Sequence, residues 1–317
     1  MKLGAMDGIL IIDKPAGMTS HDVVARVRRI LGERRVGHTG TLDPFATGVL
    51  IVLVGRATRL AQFLSGSLKT YEAVIRLGFA TDTGDVTGKP LAPIAEKTDP
   101  WSKEELEAEL VSLRGEIEQV PPMYSAKKLG GKKLYELARR GEEVERKAVR
   151  VTIHSLELTG DAGETFPHNA DGTTDIQVRV TCSAGTYVRT LAEDFGKRLG
   201  VGVHVAQLRR TKAGSFVLTD AMTLEQLEER VRHNSLDEVL VTPDGALEFL
   251  PCVSLNSLEV QRTHQGLPLK LAGKSEKAFG LLDWVRMRDE AGALVAVGMY
   301  EPETDLVRPR VVLSLKQ

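Results

Sequence analysis

The segment with the clearest capacity for chemistry is a short run rich in glycine and threonine, Gly37-His38-Thr39-Gly40-Thr41-Leu42-Asp43-Pro44-Phe45-Ala46-Thr47-Gly48. Asp43 is the only carboxylate between Glu33 and Glu72, and the run leads directly into the apolar residues Val49–Val54. One carboxylate held in a rigid loop suits a nucleophile or a base, whereas a metal site would require further ligands. Because Asp-Pro between glycines also favours turns, a purely structural loop is the alternative interpretation.

Two other segments carry side chains of interest, and each has a structural alternative. Lys69-Thr70-Tyr71 begins a predicted strand, where Tyr71 either fills the core or presents its ring to a ligand. Cys182-Ser183-Ala184-Gly185-Thr186-Tyr187-Val188-Arg189 joins a predicted strand to a predicted helix. Arg189 falls in the first helical turn, where the helix dipole slightly disfavours a cation, so a nearby anion would explain its position. A surface arginine is the alternative.

The strands and helices that would position these segments alternate without a regular βαβ repeat, which predicts an α+β fold. Strands are predicted at Ile9–Ile12, Val49–Val54, Glu72–Leu77, Val149–Leu158 and Ile176–Cys182. Helices are predicted after a cap at Ser20, around Thr58–Leu64, from the capping box of Ser102 and Glu105 to Gly115, and from about Tyr187 to Leu199. The polar stretch Asp161–Thr174 is rich in turn-forming residues and is predicted to be a dispensable loop.

The length of 317 residues suggests two domains, and the sequence changes character near residue 245. Turn signals at Thr242-Pro243-Asp244-Gly245 and Phe249-Leu250-Pro251 separate residues 1–244 from residues 245–317. The second part contains one short predicted helix, Ser257–Gln265, and strand-like runs that end at Val311–Leu315. About 70 residues of mostly short strands predict a small β-barrel appended to a larger domain.

Composition excludes several classes of protein. With 42% apolar and 27% charged residues, the chain is typical of a soluble globular protein. The longest wholly apolar run, Val49–Val54, is far shorter than the about 20 residues that cross a membrane. The first residues lack the pattern of a signal peptide, and the widely separated Cys182 and Cys252 favour neither a disulfide framework nor structural zinc. These features favour the cytoplasm, and the sequence contains no motif for a metal or a cofactor.

The charge balance is almost neutral, with 42 Lys and Arg against 43 Asp and Glu, but the charges are unevenly placed. The segment Ala126–Arg150 holds nine basic and four acidic residues, which gives a local charge of +5. A basic segment in a neutral chain permits an anionic partner on one side of the molecule.

Taken in order, these segments resemble the bacterial tRNA pseudouridine synthases of the TruB type. The resemblance rests on Gly37–Gly48, Lys69–Tyr71, Pro121-Pro122-Met123-Tyr124-Ser125-Ala126 and Gly185–Arg189, with support from Gly8–Pro15 and Leu134–Gly141. It extends from about Met6 to Lys212, and the terminal segment is similar to a PUA domain over a shorter stretch. The family pattern begins near Met6, so Met1–Ala5 is either an extension or the product of a misassigned start codon. The resemblance implies a pseudouridine synthase fold with a PUA-like RNA-binding domain.

The resemblance also implies a reaction. These enzymes isomerise the uridine at position 55 in the TΨC arm of tRNA, breaking the C1′–N1 bond and rejoining the uracil through C5. An isomerisation of this kind needs no cofactor. The carboxylate acts either by adding to C1′ or by assisting elimination to a glycal-like intermediate, and both routes require it to be ionised. Because burial favours the neutral form of a carboxyl, a neighbouring guanidinium would restore the anion.

Roles for individual residues follow from the same resemblance. Three are implied in catalysis: Asp43 as the catalytic aspartate, Tyr71 as the ring that packs on the target base, and Arg189 as the partner of the aspartate. The implied binding residues are Tyr187 and Leu208 in the pocket, His38 for extruding the nucleotide, and Lys14 near the cleft. Residues 119–150 match an insertion that folds over the RNA, in which Lys127, Lys128, Lys132 and Lys133 flank Gly130-Gly131.

The sequence departs from the family pattern at Phe45, where Leu is usual, and at Ala184, where a polar residue is frequent. Two alternatives remain beside tRNA pseudouridylation: a guide-RNA-dependent pseudouridine synthase, which lacks the insertion after Pro121-Pro122, and a non-catalytic tRNA-binding or tRNA-folding protein. A glycoside hydrolase is disfavoured because a second carboxylate at a recognisable site is missing. We expect tRNA as the partner, no membrane, no required protein partner and a monomer.

Overall fold

The computed structural model describes residues 6–92, 100–125, 127–138, 140–142, 144–160, 163, 165–270 and 283–313. Its helices are α1 (Ser20–Leu31), α2 (Ala61–Ser65), α3 (Lys103–Ser112), α4 (Leu134–Ala138), α5 (Val188–Leu199), α6 (Leu224–Arg232) and α7 (Ser257–His264). Its strands are β1 (Gly8–Lys14), β2 (Val36–Thr39), β3 (Thr47–Val54), β4 (Lys69–Gly78), β5 (Trp101–Ser102), β6 (Gly115–Gln119), β7 (Lys128–Leu129), β8 (Lys132–Lys133), β9 (Val149–Thr159), β10 (Thr165–Phe166), β11 (Thr174–Cys182), β12 (Gly202–Ala213), β13 (Phe216–Val217), β14 (Cys252–Ser254), β15 (Leu269–Lys270), β16 (Trp284–Arg288), β17 (Leu294–Glu301) and β18 (Leu306–Val312). Over the described ranges, no helix is both long and apolar enough to cross a membrane.

The larger part of the chain is built on a nine-stranded sheet in the order β1-β3-β12-β4-β11-β9-β6, with β2 paired to β3 and β13 to β12. Neighbouring strands are antiparallel except β3 and β12, which run parallel where Thr47 and Gly48 meet Arg209 and Arg210. Glycine is required at position 48, because its φ is +101° and a Cβ there would lie 2.2 Å from the carbonyl oxygen of Arg210. The mixed sheet flanked by helices confirms the predicted α+β fold.

The start of α1 differs from the prediction by one residue. Thr19, rather than Ser20, caps the helix, in a capping box that Thr19 forms with Asp22. Ser20 is the first helical residue, and its fully buried hydroxyl hydrogen-bonds to the main chain of Leu42. Both residues are good caps by type, so only the tertiary contact of Ser20 decides between them. The apolar face of α1 packs with residues of β1, β3 and α6, and its buried members are Val23, Val24, Val27 and Leu31.

The core around the centre of the sheet includes α3 and α5, which pack with β4, β9, β11 and β12. The predicted capping box of Ser102 and Glu105 is present, and α3 ends at Ser112 while Gly115 begins β6. The helix predicted around Thr58–Leu64 is a 3₁₀ turn, Gly55–Leu60, followed by the single-turn helix α2.

The loop predicted at Asp161–Thr174 is present at residues 167–173, but the prediction is wrong at Thr165–Phe166 and at Thr174, which lie in strands. Whether the segment is dispensable stays a prediction. Thr165 and Phe166 form β10, which pairs with β5, and Phe166 is 5% exposed in the same apolar cluster as Trp101. A single aromatic residue within a polar, turn-rich stretch thus anchors the excursion to the core. Residues 161, 162 and 164 lie outside the described residues.

The last part of the chain forms a curled five-stranded sheet in the order β14-β16-β17-β18-β15, with α7 packed against it. This half-barrel is consistent with the expected PUA-like domain. It contacts the larger part through the rings of Phe63 and Trp284, whose centroids are 4.9 Å apart, and through a hydrogen bond of 2.5 Å from Arg59 Nη1 to the carbonyl of Val312. The boundary at residue 244/245 stays a prediction. Cys182 and Cys252 are both free thiols.

Candidate active site

A cavity of about 240 Å³ opens where the loop before β3 meets β4, β12 and the start of α5. Its lining includes five of the residues that the sequence analysis singled out: Asp43, Tyr71, Tyr187, Arg189 and Leu208. These residues come from four separate segments of the chain, and the sheet and α5 bring them together. The cavity is smaller than the pockets that hold drug-sized ligands, which suits a single small ring.

Arg189 is held by two carboxylates and two carbonyls at the base of this cavity. The side chain is 4% exposed, and its Nε lies 2.9 Å from Oδ2 of Asp43. Nη1 lies 3.4 Å from Oδ2 of Asp85 and donates to the carbonyl of Thr83 at 2.8 Å, while Nη2 donates to the carbonyl of Tyr124 at 2.7 Å. The position of Arg189 in the first turn of a helix predicted a nearby anion, and these two carboxylates provide it. With all three nitrogens engaged, the guanidinium fixes the orientation of Asp43.

The ionisation of Asp43 is set by opposing effects. Burial raises the pKa of Asp43 above its usual value, and the neighbouring carboxylate of Asp85 raises it further. Of the groups that lower the pKa of Asp43, Arg189 has the largest effect, but this effect does not outweigh that of burial. The guanidinium was predicted to restore the anion; it acts in that direction, but the pKa of Asp43 stays above its usual value. The side chain of Asp43 remains 31% exposed, so it is accessible from the cavity.

The backbone next to Asp43 is anchored by two buried side chains. Ser20 Oγ accepts a hydrogen bond from Leu42 N at 2.9 Å. Lys14 is fully buried, and its Nζ donates to the carbonyls of Met18 at 2.7 Å, Pro15 at 2.9 Å and Pro44 at 3.2 Å. Burial lowers the pKa of Lys14 to about 8, although the carboxylate of Asp43 acts in the opposite direction. Lys14 was predicted to bind RNA, but its ammonium group has no exposed surface, so it positions the Asp43 loop instead.

Tyr71 and Leu208 form an apolar part of the wall, with 8% and 7% of their surface exposed. Burial raises the pKa of the Tyr71 phenol, and the guanidinium of Arg210 opposes that rise. Arg210 Cζ lies 6.0 Å from the centroid of the Tyr71 ring. The phenol is therefore kept neutral, and an aromatic ring in the wall of the cavity is suitable for stacking on a planar ligand.

Tyr187 caps α5 and is tied to the end of β6. Its backbone N donates to Oε1 of Gln119 at 3.0 Å, and Nε2 of Gln119 donates to the carbonyl of Tyr187 at 3.4 Å. Gln119 is fully buried, so this pair of bonds fixes the N-terminal turn that carries Arg189.

Four contributors to the site were not identified from the sequence: Lys69, Asp85, Gln119 and Arg210. Strand parity carried a signal for two of them, because side chains two residues apart face the same side of a strand. Lys69 shares a face of β4 with Tyr71, and Arg210 shares a face of β12 with Leu208. Asp85 and Gln119 gave no such signal, since each reaches the site only through the fold.

His38 and Lys127 are not among the described residues that line the cavity around Asp43. His38 lies on β2, where its ring packs edge-on against His21 with centroids 5.3 Å apart, and burial lowers the pKa of His38 to about 4. Lys127 is exposed on the segment before β7. Lys128, Lys132 and Lys133 lie on the hairpin of β7 and β8, and their side chains are outside the described part of the structure. The predicted roles of these residues in RNA binding stay predictions.

The arrangement supports chemistry by one carboxylate. Of the described residues that line the cavity, Asp43 is the only acidic one. In the described residues, there is no group of three or more His, Cys, Asp or Glu that would hold a metal ion. A single oriented carboxylate beside an aromatic ring and a guanidinium can act as a nucleophile or a base on a planar ligand.

Comparison with protein families gives two adjoining matches. Residues 28–188 match the TruB family pseudouridylate synthase N-terminal domain, and residues 189–248 match the tRNA pseudouridylate synthase B C-terminal domain. Among curated proteins, the tRNA pseudouridine synthase B of Geobacillus kaustophilus is 49% identical over 87% of this chain and 95% of its own length. The protein of the same name from Bacillus cytotoxicus is 42% identical over 98% and 99% of the two chains.

Solved structures of similar fold include chains from two macromolecular complexes. One, in an H/ACA RNP bound to a substrate RNA containing 2′-deoxyuridine, has a TM-score of 0.72 at 25% identity and covers 97% of this chain and 85% of that chain. Another, in a Cbf5-Nop10-Gar1 complex, has a TM-score of 0.71 at 26% identity, with coverage of 98% and 84%.

Proposed function

This chain belongs to the TruB family of tRNA pseudouridine synthases, and on that premise we propose that it converts uridine 55 in the TΨC arm of tRNA to pseudouridine. The observation that carries the proposal is the ion pair of 2.9 Å between Asp43 and Arg189, within a cavity that Tyr71 and Leu208 also line. Pseudouridylation of tRNA follows from the family. The choice of position 55 and the role of Asp43 are the proposed refinements.

The geometry suits an isomerisation within one nucleotide. Asp43 acts on the sugar, either by adding to C1′ or by assisting elimination to a glycal, and Arg189 fixes the direction from which it acts. The Tyr71 ring and Leu208 form an apolar wall against which the detached uracil ring turns before it is rejoined through C5. An apolar wall also limits the access of water, which would otherwise capture the activated sugar.

A uridine inside an RNA arm reaches this cavity only after it has left its stack. Base flipping costs a few kcal/mol, and the cost is offset by contacts that the extruded base makes in the pocket. Tyr71 offers the flat partner that such a base requires. We expect the basic hairpin of β7 and β8 to contact phosphates of the RNA arm that surrounds the extruded uridine.

Sequence identity favours a tRNA substrate that is recognised without a guide RNA. Relatives named tRNA pseudouridine synthase B reach 49% identity, whereas chains from two H/ACA complexes are 25% and 26% identical. We therefore propose an isomerase that acts without a guide RNA. We also propose, from the sequence features alone, that it is a monomer in the cytoplasm.

The test uses a tRNA transcript labelled with tritium at C5 of its uridines. Isomerisation of a labelled uridine releases its tritium to water without cutting the chain. We expect release by the wild type, no release by Asp43→Asn, and none from a transcript with cytidine at position 55. Glu193→Gln, which removes an exposed carboxylate from the helix that carries Arg189, is the matched control and retains activity. Tight tRNA binding without any release by the wild type would identify a binding or folding protein instead.

A further inference from the structure

Two buried cations at the cavity lack an acidic partner. Lys69 is 6% exposed and Arg210 is 1% exposed, and within the described residues neither forms an ion pair with a carboxylate. Nζ of Lys69 donates to the carbonyls of Ser65 and Ser67, at 2.6 and 2.5 Å. Because burial of a charge is costly unless the charge is paired, two such cations side by side require an explanation.

Arg210 is also held by carbonyl oxygens. Its Nε donates to the carbonyl of Val49 at 2.7 Å, and its Nη2 donates to the carbonyl of Gly40 at 2.8 Å. These bonds satisfy individual N–H groups and fix the guanidinium, but they do not neutralise its charge.

The charges around the cavity leave a positive excess. Among the residues that the structure describes, the lining holds three cations, Lys69, Arg189 and Arg210, and one carboxylate, Asp43. Arg189 is engaged with Asp43 and, behind it, with Asp85, so the charges of Lys69 and Arg210 are unmatched. Both lie on the same strand faces as the two apolar wall residues Tyr71 and Leu208. The excess therefore lies beside the surface on which the base is expected to rest.

We propose that Arg210 and Lys69 stabilise the negative charge that the uracil ring carries while it is detached from the sugar. This inference rests on the proposed function. When the C1′–N1 bond breaks, its electron pair leaves with N1 and spreads over O2 and O4. C1′ meanwhile either bonds to an oxygen of Asp43 or becomes part of a glycal as the sugar loses its 2′ proton. An electron pair from C5 then forms the new bond to C1′. As it does so, the bond from C1′ to Asp43 breaks and frees the carboxylate, or, on the glycal route, C2′ regains its proton from Asp43, which had taken it up. The proton at C5 is lost to water, and N1 gains a proton from water.

The uracil anion exists only between these two steps. Cations aimed at it lower the barrier without tightening the binding of the neutral substrate. A phosphate beside the extruded nucleotide is the other possible source of negative charge, and it is present in the bound ground state as well. Loss of a phosphate contact would therefore weaken RNA affinity and reduce its dependence on salt. Loss of a contact to the uracil anion would instead slow the reaction of bound RNA.

The experiment compares Arg210→Met with Arg210→Lys, and Lys69→Met with Lys69→Arg. The methionine variants remove the charge and keep an unbranched side chain, whereas the other two retain a cation. Single-turnover release of tritium is measured at saturating tRNA, and the Kd is measured by filter binding at several salt concentrations. Arg209→Met is the matched control, because Arg209 is next to Arg210 in sequence but does not line the cavity. Its Nη2 instead forms an ion pair with Oδ2 of Asp13, at a distance of 2.6 Å.

We expect the methionine variants to react about 100-fold more slowly, the scale of losing one charge-stabilising donor, with the Kd unchanged. The lysine and arginine variants should recover much of that loss, and Arg209→Met should react at the wild-type rate. Two results would overturn the inference: a higher Kd with an unchanged rate, which indicates a phosphate contact, or an Arg210→Lys variant as slow as Arg210→Met, which indicates a structural role. If the Arg210 variants do not fold, the comparison of Lys69→Met with Lys69→Arg tests the inference. Inactivity of the wild type would reject the proposed function itself.

Discussion

The hydroxyl of Ser20 holds Leu42 by its main chain: it accepts a hydrogen bond from Leu42 N at 2.9 Å and donates one to the Leu42 carbonyl at 3.3 Å. Ser20 is the first residue of α1, and Leu42 immediately precedes Asp43. The catalytic candidate is thus fixed twice, through its backbone by a helix and through its side chain by Arg189. Both constraints limit how far its carboxylate can move from a productive position.

Ser20→Ala tests the first constraint. The substitution leaves the buried N–H of Leu42 without a partner, which costs about 1–3 kcal/mol in the free energy of unfolding. We also expect kcat to fall roughly tenfold, because small displacements of a reacting group are costly. Denaturant unfolding and tritium-release kinetics measure the two effects. Ser112→Ala, which removes an exposed hydroxyl bonded within α3, should change neither value. An unchanged kcat in Ser20→Ala would show that the loop keeps its position without this anchor.

Arg189→Gln tests the second constraint through pH. The reaction requires Asp43 as a carboxylate, and burial raises its pKa, so wild-type activity should fall with decreasing pH above the range of an ordinary Asp. Arg189 is the largest influence that lowers this pKa. Its removal should therefore move the acid limb to higher pH and lower kcat more than it raises KM. The profile of kcat against pH at saturating tRNA gives the answer.

The matched control for that experiment is Arg198→Gln, at the other end of α5, where the side chain is 46% exposed and lies 4.0 Å from Glu109. Its pH profile should coincide with that of the wild type. If Arg189→Gln raised only KM and left kcat and the acid limb in place, Arg189 would be an RNA-binding residue rather than the partner of Asp43.

Much of the fold was predictable because its elements have strong local patterns. The apolar run Val49–Val54 lies within β3, and the alternation of Glu72–Leu77 lies within β4. Local patterns predicted the structure less well at positions where a tertiary contact determines it. Ser20 has the side chain of a helix cap, but its hydroxyl is engaged by Leu42, so the cap moves to Thr19.

In the candidate site, too, some residues were predictable from local motifs and others reach the site only through the fold. Asp43 and Arg189 lie in motifs that are unusual in composition, and the structure brings them within 2.9 Å of each other. Asp85 reaches Arg189 only because β4 and the following turn bring it there, and no pattern near Asp85 indicates that contact. Lys14 shows the converse limit, because a lysine next to a motif was expected to meet RNA and is instead buried among carbonyls.

Tyr71→Phe separates packing from chemistry at the wall of the cavity. The change removes only the phenolic hydroxyl, so the ring can still stack on a base and the Kd for tRNA should stay the same. We expect the rate of tritium release to fall by at least tenfold, because the hydroxyl lies beside Arg210 within the cavity. Tyr300→Phe, which removes a hydroxyl in the C-terminal sheet, serves as the comparison. Full activity in Tyr71→Phe would reduce Tyr71 to a packing residue.

The basic hairpin and the adjoining Lys127 are tested by changing Lys127, Lys128, Lys132 and Lys133 together to glutamine. Each lysine that neutralises a phosphate contributes about one to the slope of log Kd against log salt. The fourfold variant should therefore bind tRNA more weakly with a flatter slope, while kcat at saturating tRNA changes little. A fourfold substitution by arginine keeps the charge and should preserve both affinity and slope. An unchanged slope in the glutamine variant would exclude phosphate contacts by this hairpin.

Phe166→Ala tests the segment that sequence patterns predicted to be dispensable. Phe166 is 5% exposed and shares an apolar cluster with Trp101, so its truncation leaves a cavity and should lower the free energy of unfolding by about 3–5 kcal/mol. Phe249→Ala removes the same side chain at a position that is 62% exposed, and its effect should stay within about 0.5 kcal/mol. The difference in the free energy of unfolding is measured from the midpoints of denaturant unfolding, for variants whose transitions have equal slopes. Equal stability of the two variants would mean that the β5–β10 pair contributes little to the core and that the excursion is dispensable after all.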